Sequence, residues 1–292
     1  METWYPQWDT FIAIFEYLHL QLFRGVNIDR LRHKLIHYLI KLDRASSPRL
    51  LLPQEMSSRT VASREGSAVF FDVDGTLANS FKLGFNSTNA VLTKNGRKEV
   101  SSDEFHKGTV YDTPSRFSWH VTGEANDVSG IGAIYGAMFD EYYVALVSNE
   151  TAPLFPGISK LLEELVMKFP DTHLGALSNA CGAYVKAVAN ANNFASQFSL
   201  LYGSDDVPDS KPSPDGLLFM CKELDVKPER CVYVGDAPTD GKAAAQAGFA
   251  ASIGVTWGSH AATVVRDCEH FTHTVDNVDE LNLLLLNLLK TH

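Results

Sequence analysis

Asp72 and Asp74 close an apolar run, S-A-V-F-F-D-V-D-G-T-L at 67–77, two positions apart and just before a glycine. Val69, Phe70, Phe71 and Val73 suit a covered β-strand, in which residues two apart share a face. Both carboxylates therefore leave the strand end together, where Gly75 turns the chain. Acids forced this close repel one another and are costly to ionise unless a cation lies between them. Three later segments supply partners. L-G-A-L-S-N at 174–179 ends in the hydroxyl of Ser178 and the amide of Asn179. S-K-P-S-P-D-G at 210–216 sets Lys211 among turn formers, and C-V-Y-V-G-D-A-P-T-D at 231–240 repeats the opening design with Gly235, Asp236 and Asp240. Singly, Ser178 reads as a helix cap, Lys211 as a solvated cation and Asp236 as a turn acid. Three of the four segments end strand patterns, so together they read as one constellation gathered from separate parts of the chain.

In that order, D-V-D-G-T, S-N, K-P and G-D-A-P-T-D resemble the four motifs of the haloacid dehalogenase superfamily, over residues 67–290. L-F-P-G-I at 154–158, S-K-P-S-P-D-G and G-V-T-W-G at 254–258 are similar to its phosphoglycolate-phosphatase-type group. The resemblance implies hydrolysis of a small phosphorylated metabolite, with 2-phosphoglycolate the best single guess, through an aspartyl-phosphate intermediate. Asp72 suits the nucleophile, because a carboxylate is already ionised at neutral pH and forms an acyl phosphate that water can cleave. Asp74 is then the acid for the leaving oxygen and the base for water. Mg2+ is the expected cofactor, a hard ion usually held by one or two carboxylates together with substrate phosphate. Asp72 and Asp236 are its expected side-chain ligands, and the resemblance adds the main-chain carbonyl of Asp74. Ser178, Asn179 and nearby N–H groups are expected to hold the phosphoryl oxygens. Lys211 balances the gathered negative charge, and Asp240 orients Lys211 or a water. Gly75, Thr76 and Gly235 support the turns.

Asp74 also favours ester hydrolysis over C–halogen cleavage, since by resemblance the dehalogenases lack an aspartate there. A phosphomutase shares both aspartates and differs in how its cap excludes water. A catalytically silent interaction protein on the same fold is the alternative from another class. No cysteine or histidine pair has the spacing of a zinc site.

These residues need a frame. From residue 156 onward helical and strand patterns alternate: a helix at 158–168, strand 174–178, helix 183–192, strand 199–202, helix 217–224, strand 231–234, helix 241–247 and strand 251–255. Such alternation predicts an α/β fold with a doubly wound, Rossmann-like parallel sheet, whose ligand site lies beyond the carboxyl ends of the strands. The segment E-L-N-L-L-L-L-N-L-L within 278–290 predicts a packed terminal helix. The catalytic core is thus expected at 67–81 and 151–292. Between its two parts, 82–150 shows no strand pattern and has helical stretches at 87–95 and 130–147. By resemblance this is an α-helical cap that closes over substrate. Its middle, Y-D-T-P-S-R-F-S-W-H, carries Arg116, Trp119 and His120. Arg116 reads either as a partner for a substrate carboxylate or, the simpler expectation, as a surface arginine beside a Trp119 cap core. Asn79 departs from the acid that related phosphatases often place in T-L-x-D-S, which bears on substrate choice.

Residues 1–66 lie outside the resemblance. Trp8, Phe11, Phe15, Leu18 and Leu22 suggest one amphipathic helix, Leu31, Leu35, Leu39 and Leu42 a second, and 44–66 a linker. Glu16, His19 and Gln21 interrupt the apolar stretch before it reaches a membrane span, and M-E-T is not a basic leader. Packing on the core, a homodimer or partner interface through residues 1–43, and membrane-surface attachment all remain open for this extension. A formal net charge of −10 without a basic cluster argues against nucleic-acid binding. Four cysteines without paired spacing read as reduced core thiols of a cytoplasmic protein.

Overall fold

The computed structural model describes residues 66–126 and 130–290. The two amphipathic helices, the linker up to residue 65 and the dimer surface expected at 1–43 lie outside the described residues. Among those described, no helix is long and apolar enough to cross a membrane.

Six strands form one sheet: β1 (Ser67–Phe71), β2 (Thr172–Leu177), β3 (Leu200–Tyr202), β4 (Cys231–Gly235), β5 (Ala251–Val255) and β6 (His273–Val275), in the order β3-β2-β1-β4-β5-β6. Every pairing is parallel. The period of two in β1 divides the core. Val69 and Phe71 face a layer holding Leu161, Leu165, Val185, Val188, Leu281 and Leu285. Ala68 and Phe70 face a second layer with Leu217, Met220, Ala243 and Ala244. These residues lie on α5 (Ile158–Lys168), α6 (Gly182–Ala191) and α10 (Val278–Lys290) in the first layer, and on α7 (Asp215–Glu223) and α8 (Pro238–Ala247) in the second. A sheet buried on both faces needs apolar residues on both sides of each strand, which is why β1 and β4 read as continuous apolar runs. The fold is the doubly wound parallel sheet expected from the alternation. Strand order reverses between β1 and β4, and a crevice opens beyond their carboxyl ends at such a switch point.

Four helices separate β1 from α5: α1 (Phe81–Lys94), α2 (Ser102–Gly108), α3 (Thr113–Thr122) and α4 (Ile131–Ala145). Two of them, α2 and α3, are additions to the sequence expectation. Ser101 and Glu104 form a reciprocal capping box that starts α2. Asp112 caps α3, whose first turn holds Pro114, and Gly123 ends it in the left-handed conformation. Rings bind the layer together: Phe117 meets Phe139 at 5.5 Å, and Phe81 meets Phe105 at 5.2 Å. A short α9 (Ala262–Arg266) and β6 are further additions near the carboxyl end.

Candidate active site

Asp72 follows β1 directly, and its N–H donates to the Val234 carbonyl at 2.8 Å, tying the first loop to the end of β4. Gly75 then turns the chain with φ of +82°. A Cβ there would stand 2.3 Å from Oδ2 of Asp236, and one at Gly258 would stand 2.2 Å from the same atom. Two loops therefore close on Asp236 only because both positions lack a side chain. Asp236 Oδ2 accepts the Ser259 N–H at 2.7 Å and its hydroxyl at 3.0 Å. The indole of Trp257 donates to the Thr76 carbonyl at 3.2 Å, fixing the same pair of loops.

The carboxylates of Asp72, Asp236 and Asp240 each offer an oxygen within 4.8 Å of the others. All three are buried, at 6%, 2% and 1% exposure. Burial pushes the Asp72 carboxyl well above its usual range, Lys211 opposes this, and Asp240, Asp236 and Asp74 add to the rise. One ammonium serves this cluster. Lys211 Nζ lies 2.6 Å from Asp72 Oδ1 and 2.7 Å from Asp240 Oδ1, and donates to the Leu177 carbonyl and the Tyr233 hydroxyl, each at 2.9 Å. Burial alone would lower the lysine, but Asp240 and Asp72 outweigh it and hold it well above its ordinary value. Asn179 fixes the lysine's backbone by exchanging two hydrogen bonds with residue 211, at 2.8 and 3.0 Å. The Asp240 carboxylate also accepts the Ala237 N–H at 3.0 Å, closing the first turn of α8. An all-oxygen donor set, short of positive charge and shielded from water, fits a hard divalent cation such as Mg2+. The Asp74 side chain is not part of that cluster.

Asp74 points instead into a cage of hydroxyls. Its Oδ1 accepts from Ser80 at 2.5 Å, Tyr184 at 2.5 Å and Tyr143 at 3.2 Å, and its Oδ2 accepts from Ser178 at 2.9 Å. Burial raises both phenols well above their ordinary values and Asp74 adds to this, so both remain protonated donors. The Ser178 hydroxyl also accepts the Ala180 N–H at 3.0 Å, so it bridges Asp74 to the loop after β2. Tyr143 lies on α4 and stacks on Tyr184 of α6 with centroids 4.1 Å apart.

The structure thus brings Asp72, Asp74, Ser178, Lys211, Asp236 and Asp240 around one cavity that Arg116 and His260 also line. Arg116 is no surface arginine. Its guanidinium lies over the rings of Phe139, Phe105 and Phe117 at 4.6, 5.4 and 5.7 Å, because aromatic residues of three helices converge on it. Trp119, expected in the cap core, is only half-buried and packs near Tyr111 and His120. Several site residues escaped the sequence reading: Ser80, Tyr143, Tyr184, Tyr233, Ser259 and His260. Tyr233 and Ser259 adjoin motifs and were findable there. Tyr143 and Tyr184 lie 69 and 110 positions from Asp74 and carry no local signal. His260 sits 3.7 Å from Asp236 and 4.7 Å, centroid to centroid, from the His106 ring of α2.

Comparison with known proteins bears on the family and the fold. The phosphoglycolate phosphatase of Escherichia coli (strain K12) is 36% identical over 121 residues, covering 41% of this chain and 46% of that protein. The counterpart from Salmonella typhi is 34% identical over 128 residues, 44% of this chain and 49% of that protein. The matched stretch thus spans about half the length of these curated relatives. Among solved structures, CbbY from Rhodobacter sphaeroides in complex with phosphate superposes with a TM-score of 0.64 at 26% identity, covering 74% of this chain and 96% of that one. A haloacid dehalogenase-like hydrolase from Bacteroides fragilis shares the fold, with a TM-score of 0.65 at 24% identity over 74% of this chain and 100% of that one. The family model for haloacid dehalogenase-like hydrolases matches residues 69–254, and the chain belongs to that family.

Proposed function

We propose that this protein is a Mg2+-dependent phosphatase that hydrolyses a small phosphate monoester through a phosphorylated Asp72, with 2-phosphoglycolate as the foremost candidate substrate. The observation that carries this reading is the convergence of Asp72, Asp236 and Asp240 within 4.8 Å, with Lys211 paired to two of them. Held by these carboxylates, with the Asp74 main-chain carbonyl added by resemblance, Mg2+ would supply positive charge for the phosphoryl oxygens.

The chain's own groups carry the steps. A carboxylate oxygen of Asp72 attacks phosphorus, and the bond to the alcohol oxygen breaks. Asp74, delivered by its hydroxyl cage, protonates that leaving oxygen. Asp74 then takes a proton from water as the water cleaves the acyl phosphate, returning the Asp72 carboxylate and inorganic phosphate. Lys211 offsets the charge gathered on Asp72 and Asp240 throughout. Ser178 and Asn179, which line the same cavity, are the expected contacts for phosphoryl oxygens. The curated relatives named phosphoglycolate phosphatase support the substrate assignment. Four free cysteines fit a reducing, cytoplasmic setting.

The test is release of phenol from a simple aryl phosphate. Hydrolysis with Mg2+ should vanish on adding EDTA and in Asp72→Asn. Equal rates for wild type and that variant would overturn the assignment. A phosphate-release panel of two-carbon, three-carbon, sugar and nucleotide monophosphates then ranks substrates.

A further inference from the structure

Arg116 occupies the wall of the cavity that holds Asp72 and Asp74, on the first turns of α3. Three phenylalanine rings cover the faces of its guanidinium. Rings satisfy a guanidinium from above and below, whereas its N–H groups point in the plane, where only an acceptor can meet them. Nε and Nη2 are buried and meet no acceptor among the described residues. The acids Asp140, Asp74 and Asp112 act on Arg116 through space. Among the described residues lining the cavity, Lys211 is the other permanent cation, and its ammonium is fully engaged. A fork of unpaired donors held between rings at the cavity wall is matched by two coplanar oxygens of one anion. Among the described residues, none supplies such an anion to Nε or Nη2.

We propose that Arg116 is a specificity residue that receives a second anionic group of the substrate, a carboxylate or a second phosphate carried on the alcohol side of the ester. The inference rests on the phosphatase reading above and narrows its substrate class. An ester with a neutral tail leaves the guanidinium unpaired, so discrimination comes from the penalty of the empty fork as well as from the new contact. Arg116 takes no part in bond breaking.

The experiment compares three esters on the full chain: 2-phosphoglycolate, its neutral-tailed analogue 2-hydroxyethyl phosphate, and ethane-1,2-diyl bisphosphate. Wild type should favour at least one charged-tail ester in kcat/KM by about 30-fold or more over the neutral one. Arg116→Met keeps the apolar stem among the rings and should collapse that ratio to within about 3-fold. Arg116→Lys keeps charge without the fork and should fall between, and it serves if the methionine variant does not fold. Whichever charged ester loses more identifies the anion as carboxylate or phosphate. A wild-type ratio near one, or a ratio that survives Arg116→Met, overturns the proposal. Failure of the underlying reading looks different, because wild type would then hydrolyse neither the neutral ester nor a simple aryl phosphate.

Discussion

Lys211 Nζ lies 2.6 Å from Asp72 Oδ1, and both side chains are shielded from solvent. The same ammonium contacts Asp240, so one lysine is shared by two of the three clustered carboxylates. Breaking a buried pair leaves an uncompensated charge and typically costs about 3–5 kcal/mol. Lys211→Met should therefore unfold at clearly lower urea concentration than wild type. Mg2+ returns positive charge to the same oxygens, so adding it should narrow the gap. Urea melts with and without Mg2+ check this, and an equal deficit in both contradicts it.

Metal dependence divides Asp236 from Asp74. Ion binding to the native state raises stability by about 2.7 kcal/mol at a hundredfold excess over Kd. Thermal melts of wild type should therefore shift upward with Mg2+. Asp236→Asn removes one of the three clustered carboxylates and should lose most of that shift. Asp74→Asn should keep it, because the Asp74 side chain is taken up by Ser80, Tyr143, Tyr184 and Ser178. Loss of the shift in both variants would mean that the Asp74 side chain belongs to the metal site after all.

How much of this was legible in sequence follows from where the forces act. β1, β4 and β5 are short strands buried on both faces, so they stand out as apolar runs, and α5 and α10 carry unbroken apolar periodicity. Asp72, Ser178 and Asp236 follow the ends of β1, β2 and β4, and the parallel sheet brings them together. The cap was harder. Ser101, Glu104, Asp112 and Pro114 are ordinary helix-start signals, but they sit in a polar stretch that reads as loop. Ser80 looks like the cap of α1, yet its hydroxyl goes to Asp74 rather than to the helix. The three rings around Arg116 come from α2, α3 and α4, and no local pattern announces such a cage. Cys221 and Cys231 likewise lack a paired spacing, although folding sets their sulfurs 3.7 Å apart.

Asp74 as proton donor predicts a dependence on the leaving group. An alkoxide must be protonated as it departs, whereas a nitrophenolate departs readily without help. Asp74→Asn should therefore lower phosphorylation by an alkyl phosphate by about 100- to 10,000-fold, and by p-nitrophenyl phosphate far less. Water attack on the acyl phosphate should still be slow in the variant. Stopped-flow traces with the nitrophenyl ester should then show a burst of nitrophenol followed by slow turnover. Equal losses for the two esters would remove Asp74 from the acid role.

His120 sets a limit on stability in acid. Burial lowers this imidazole from its ordinary 6.5 to about 4, and the nearby Arg116 guanidinium adds to the effect. In the unfolded chain it titrates near the ordinary value. Between about pH 6.5 and about pH 4 the unfolded state therefore binds the extra proton, so acid favours unfolding. The contribution is complete above that window and is lost as pH falls through it. The full difference would amount to about 3 kcal/mol, but the ring is partly exposed, and solvent screening reduces the expectation to about 1–2 kcal/mol. His120→Gln removes the titration. Urea denaturation at about pH 7 and about pH 4.5 should show wild type losing that much more stability than the variant. A loss identical in both would mean that the imidazole accepts its proton in the native state, and that the wall behind Arg116 is open to water.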